Sequence, residues 1–165
     1  MQSNGKSKDA EIFKETFEQT KKWLRDEGFT YGRSASQEGW VWILEPTDPV
    51  GFGLTIGQCV GNPESLHLRL EVVLDEYQKE IGALSDDAKK DLVFSLRQRL
   101  LLIGIAFEFG ERLGSIKFKE RLFTETLTRE SFWNGVNRLR RGVDSMKWTL
   151  DEKLPMPSPF DIGSK

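Results

Sequence analysis

Four times along this chain the hydrophobic period changes between that of a helix and that of a strand, and the order of those changes leaves few folds open. Ile12, Phe13, Phe17 and Leu24 recur at helical spacing, with Lys14, Glu15, Lys21, Lys22 and Arg25 on the other side. Asp9 is placed to cap this helix and Gly28 to stop it. The period then becomes two over 40–44, 50–56 and 66–72, three runs separated by Pro46-Thr47-Asp48-Pro49 and Gly61-Asn62-Pro63. Short turns between consecutive strands predict an antiparallel meander. Ser85-Asp86-Asp87 reads as a helix start, and Leu92, Val93, Leu96, Leu100 and Ile103 give that helix a wide apolar stripe up to Gly104. Alternation returns over 105–109 and 116–122, across a Gly110–Gly114 turn. A final helix runs from Thr128 to about Leu150, with Phe132, Val136, Leu139, Val143, Met146 and Leu150 along one face.

The expected fold class is therefore α+β: a mainly antiparallel, curved sheet of about five strands with three helices, in the order α-βββ-α-ββ-α. Residues 9–154 form the single domain, residues 1–8 a polar N-terminal tail, and residues 155–165 a Pro-rich C-terminal tail. With 165 residues, 38% of them hydrophobic, the chain is long enough to close one core without staples. Among its residues are one Cys, Cys59, and one His, His67, which leaves no intrachain disulfide and no imidazole-rich or thiolate metal site. No metal and no cofactor is expected. A net charge of −2 supplies no general field for phosphate backbones, so nucleic acid is not an expected partner. The apolar run 100–107 falls short of the roughly 20 residues that span a bilayer, and the first residues lack an apolar stretch, so a cytoplasmic protein without a membrane role is expected.

Several local strings carry a resemblance. Trp23-Leu24-Arg25-Asp26-Glu27-Gly28-Phe29, Leu96-Arg97 through Leu100-Leu101 to Gly104-Ile105-Ala106-Phe107, Leu127-Thr128-Arg129-Glu130-Ser131-Phe132 and Trp148-Thr149-Leu150 resemble an uncharacterised, mainly archaeal family of unknown function over roughly 10–150. Its motifs are packing and capping motifs. The element order is also similar to that of the type III secretion chaperones. That resemblance implies small homodimers whose monomers bind extended segments of partner proteins. The family supplies no catalytic residues.

The residues themselves offer no reaction either. His67 lies beside Arg69 and Glu71 on an alternating strand, and no Gly-x-Ser-x-Gly elbow presents a serine to it. Gly51-Phe52-Gly53-Leu54-Thr55-Ile56-Gly57 departs from the dinucleotide fingerprint and alternates like a strand. Lys117, Lys119 and Arg121 share one strand face and are placed to meet Glu108 across the hairpin, and Arg138 and Arg141 lie opposite the apolar stripe of the last helix. The first hairpin is less ordinary. A turn at Pro46–Pro49 would pair Leu44 with Gly51, Trp42 with Gly53 and Trp40 with Thr55, setting Trp40, Trp42 and Leu44 on one face beside glycines. Glycine inside a strand marks close approach by something bulky: here either the tryptophans themselves or a partner. Trp40, Trp42, Leu44, Gly51 and Gly53 are thus the candidate partner-binding residues. Leu92, Leu96 and Leu100 are the candidate dimer contacts, because the 85–103 helix carries more apolar surface than one sheet face covers. The expected function is a non-enzymatic protein-binding or chaperone-like module acting as a homodimer with an unidentified protein partner. The alternative is a small-ligand-binding or regulatory domain using the Trp/Gly face as a pocket.

Overall fold

A computed structural model describes residues 3–33, 37–47 and 53–154. In chain order these form α1 (Ser3–Asp26), β1 (Thr30–Arg33), β2 (Trp40–Thr47), β3 (Leu54–Cys59), β4 (Ser65–Val73), α2 (Gln78–Ala83), α3 (Asp86–Ile103), β5 (Ala106–Phe109), β6 (Ser115–Phe123) and α4 (Arg129–Lys153). The class is α+β, as its periodicity dictates. The six strands form one open antiparallel sheet in the order β1-β2-β3-β4-β6-β5.

Two elements lie beyond the expected set, and both are too short to show a period. β1 is four residues, Thr-Tyr-Gly-Arg, paired to β2 from Thr30↔Thr47 to Arg33↔Leu44. α2 is six residues with Ile81 as its one buried side chain. Pro46 lies inside β2 opposite Tyr31 rather than in a turn. The pairing of β2 to β3 ends at Leu44↔Ile56, so the missing N–H of Pro46 interrupts no ladder on that side. α1 begins at Ser3, ahead of Asp9 and inside the segment expected as a tail, since no proline breaks the polar turns that precede the apolar stripe. The Pro-rich segment 155–165 lies outside the described residues.

The caps of the two later helices are where the sequence places them. The Ser85 hydroxyl accepts from the Ala88 N–H, and at α4 the Thr128 and Ser131 side chains complete a reciprocal capping box. The core lies on one face of the sheet. Trp42, Leu44, Leu54, Ile56, Leu66, Leu68, Leu70, Ile116 and Phe118 supply the sheet side, and Leu24, Leu92, Leu96, Leu100, Phe132, Val136, Leu139, Val143, Met146 and Leu150 the helix side. α4 lies directly on β4 and β6. A Cβ at Gly135 would come within 3.0 Å of the Leu68 side chain, and one at Gly142 within 3.1 Å of Ile105 and Phe118. The opposite face carries the other strand positions: Thr55, His67, Arg69, Glu71, Glu108, Lys117, Lys119 and Arg121.

Candidate functional site

The first hairpin does not pair as its turn chemistry suggests. Trp42 stands opposite Gln58, Ile43 opposite Gly57 and Leu44 opposite Ile56, a slip of five residues from the Trp42–Gly53 pairing (53 to 58). An odd slip exchanges the faces of one strand relative to the other. Trp40 pairs with Cys59, so two residues of β2 oppose one of β3 and Val41 is the extra residue of a bulge, 43% exposed. The bulge separates the tryptophans. Trp42 and Leu44 face the helices, at 8% and 1% exposure, and Trp40 faces the other way.

Trp42 is a satisfied core residue. Its indole N–H donates to Gln58 Oε1 at 2.9 Å, Gln58 Nε2 donates to the Pro63 carbonyl at 3.0 Å, and the Phe17 ring meets it edge-on at 5.2 Å. Trp40 lies over Gly57, where a Cβ would fall 2.7 Å from the ring. The Arg69 guanidinium covers it at 4.4 Å and His67 stands edge-on at 6.1 Å. An aromatic does shield a strand glycine, but the pair is Trp40 with Gly57. A Cβ at Gly53 would make one ordinary van der Waals contact, with Glu71 O at 3.8 Å, and Gly51 lies outside the described residues.

Around Trp40 the open face forms a polar basin of about 450 Å³. Its charges answer one another. Lys119 donates to Glu108, Lys117 lies 3.8 Å from Glu71, and Ser115 Oγ donates to Glu71 at 2.9 Å. The hydrogen bond and charge of Lys119 hold the Glu108 carboxyl below the usual glutamate range. Arg121 Nε donates to Ser65 Oγ at 2.7 Å while its guanidinium lies 3.5 Å from Glu64. His67 sits between these cations with its Nε2 buried and unpartnered. Burial first, then Arg69 and Arg121, push its pKa below the ordinary 6.5, so the ring is held neutral. On the helix side Arg138 pairs with Glu120 at 3.0 Å, against a burial that raises the Glu120 pKa. Among the described residues no three His, Cys, Asp or Glu side chains converge as a metal site would require.

A different surface has the opposite character. Between α2, α3 and the β5–β6 turn lies a cleft of about 590 Å³ whose apolar floor includes Ile81, Val93, Phe109 and Leu113. Its charged lining is cationic: Lys89, Arg97 and Arg112. Arg97 lies over the Phe109 ring at 5.6 Å, and among the described residues none of the three cations makes an ion pair. Arg112 and Leu113 occupy the left-handed region at φ 51° and 57°, although glycines flank them at 110 and 114. The turn is held there by the Gln78 amide donating to the Leu113 carbonyl at 3.1 Å and by the Gly110 N–H donating to Ser115 O at 2.8 Å. Positive φ at two consecutive non-glycine residues costs about 1–2 kcal/mol each.

Beside this cleft α3 divides its leucines. Leu92, Leu96 and Leu100 are 2%, 0% and 0% exposed and pack into the monomer's own core, so they are not available to a second subunit. Phe94, Leu101 and Leu102 point outward at 60%, 67% and 87% exposure. A helix buries the stripe that recurs at i, i+4 and i+8, and the exposed residues fall between those positions. Trp148 of α4 is also exposed, under the Arg99 guanidinium at 4.2 Å. The sequence signal for this outer surface was the excess of apolar residues on α3; the choice among its leucines needed the helix's orientation.

An open antiparallel sheet with helices over one face, a charge-paired second face and an apolar, cationic cleft at its β5 edge defines a small α+β protein. The chain belongs to DUF2299, a family of uncharacterized conserved proteins, which it matches over residues 17–150. It is similar to the crystal structure of an uncharacterized protein from Methanothermobacter thermautotrophicus, at 21% identity and a TM-score of 0.75, over 84% of this chain and 98% of that one. That likeness is one of fold. A weaker likeness, at 18% identity and a TM-score of 0.46, joins 75% of this chain to 84% of a chain in the ExsC-ExsE complex. No curated protein matches the chain.

Proposed function

We propose that this protein is a non-enzymatic protein-binding module whose contact surface is the α2–α3–β5 cleft with the outer side of α3, and that two copies associate through α3. The supporting observation is the exposure of Phe94, Leu101 and Leu102 on one helix beside a cleft floored by apolar side chains. Phe94 and Leu101 lie two turns apart on one side of α3, and large apolar side chains exposed on one helix support an interaction site there. The open face of the sheet offers less, because its tryptophan is covered on both sides and most of its charges are paired within the chain.

Light scattering at micromolar concentration is expected to give twice the chain mass of 19.0 kDa. Phe94→Asp with Leu101→Glu is expected to return the single mass while leaving the thermal midpoint within error, since both side chains are exposed. A wild-type chain that scatters as a monomer contradicts the homodimer; a double variant that unfolds places those residues in the core.

A further inference from the structure

We infer that the cleft receives an extended, acidic and apolar peptide segment that adds to β5 as a seventh strand of the sheet. This rests on the reading of the cleft as a protein contact surface. β5 is an edge: it pairs with β6 from Ala106↔Lys119 to Phe109↔Ile116 and, among the described residues, has no strand on its other side. Such an edge presents unpaired N–H and C=O groups that an extended chain satisfies, and many recognition domains take their ligands in this way. β5 has no proline, no lysine and no bulge among Ala106, Phe107, Glu108 and Phe109, and its protection as an edge is limited to its four-residue length and the single charge of Glu108.

The side chains around that edge choose the partner. Phe107 and Phe109 pair with Phe118 and Ile116 and so point to the helix side, where Val93 and Leu113 line the cleft. A strand added beside them turns alternate residues to that same side, onto apolar surface. Those inward residues are apolar where they lie over Phe109 and Val93 and acidic where they reach Lys89, Arg97 or Arg112. Lys89 and Arg97 on one wall and Arg112 at the end of the strand are cations without an acidic partner among the described residues, and no carboxylate lines the cleft. A segment that also carries carboxylates supplies the charge this rim lacks, and opposite-sign rims steer encounter and fix register. The left-handed conformation of Arg112 and Leu113 sets one cation and one apolar side chain at the cleft's end.

The test uses two short peptides with threonine at the outward positions, one with valine and glutamate at successive inward positions (Val/Glu) and one with valine and lysine there (Val/Lys), titrated into the full chain. Fluorescence anisotropy reports affinity and amide hydrogen exchange reports pairing. The Val/Glu peptide is expected to bind more tightly, to weaken with added salt, and to raise the protection of the Ala106–Phe109 amides. Lys89→Glu with Arg97→Glu is expected to invert the preference, with a loss of about tenfold for Val/Glu, at an unchanged thermal midpoint. Equal binding of both peptides without new protection in β5, and abolished by Val93→Asp, overturns strand addition while the cleft survives as a contact surface. Binding by neither peptide overturns the inference. If Phe94→Asp also leaves the mass of the wild type unchanged, the contact reading falls with it. Protection of β5 that rises with protein concentration alone assigns the edge to a second copy and likewise overturns the inference.

Discussion

Trp40 and Trp42 stand two residues apart on one strand and serve opposite faces of the same sheet. Trp42 is enclosed by Phe17 and hydrogen-bonded through its indole N–H; Trp40 is partly buried, pressed on Gly57 and covered by Arg69. A single extra residue, Val41, makes the difference. The contrast extends across the sheet: one face is closed by helices and apolar packing, the other by side chains of the strands themselves pairing charge with charge. Apart from the buried, unpartnered His67 Nε2, the polar groups of the open face are largely paired within the chain. Exposed apolar surface and unpaired cations lie instead in the cleft beside β5 and on the outer side of α3.

The largest effect that sharpens this comparison is Trp42→Ala, which is expected to lower folding stability by about 3–5 kcal/mol, as a large core deletion does. Trp40→Ala removes a partly exposed ring and one cation–π contact and is expected to lower it by about 1–2 kcal/mol. Equal losses in chemical denaturation would break the distinction between the faces. Next in size is Gly57→Val. Its Cβ would meet Trp42 O at 2.5 Å and the Trp40 ring at 2.7 Å, and overpacking of this kind costs about 1–3 kcal/mol. Gly53→Val, whose Cβ meets only Glu71 O at an ordinary 3.8 Å, is expected to change stability by less than about 0.5 kcal/mol. A reversed order would restore the Trp42–Gly53 pairing that the turn chemistry suggests.

A smaller change tests the cleft's strained turn. Arg112→Gly relieves a left-handed non-glycine residue and is expected to stabilise the fold by about 1 kcal/mol while weakening an acidic partner. Destabilisation would show that Arg112 serves the fold rather than the cleft. The smallest effect is on pH dependence. His67 has its folded pKa below the unfolded value of 6.5, so its contribution is fully present above pH 6.5 and is lost as the pH falls through the folded value. His67→Gln is expected to remove that part of the acid-side decline, and unchanged curvature in a pH series of thermal midpoints would contradict it.

Periodicity and caps made most of the fold legible in the sequence. Ser85, Thr128 and Gly104 mark the ends of α3 and α4 because each does a local chemical job that the sequence displays directly. β1 and α2 were not legible, since four and six residues carry no period. The register of β2 on β3 was misread for a different reason. Pro46 and Pro49 are turn residues by type, yet Pro46 is accommodated in a strand where β3 has already ended its pairing. From that one misplacement came the wrong glycine beside the tryptophans. The apolar excess on α3 was visible, but which leucines face outward depends on where α4 and the sheet lie. The cleft was invisible, being assembled from α2, α3 and β5 by tertiary packing.

The most direct test of the division between an architectural sheet face and a contact edge sets Trp40→Ala beside Phe94→Asp in parallel sedimentation and denaturation. Phe94→Asp is expected to weaken self-association with stability unchanged, and Trp40→Ala to lower stability by about 1–2 kcal/mol with self-association of the folded protein unchanged. Loss of association in Trp40→Ala at full stability, with Phe94→Asp behaving as wild type, would place the contact surface on the tryptophan face and contradict the assignment to α3 and the β5 edge.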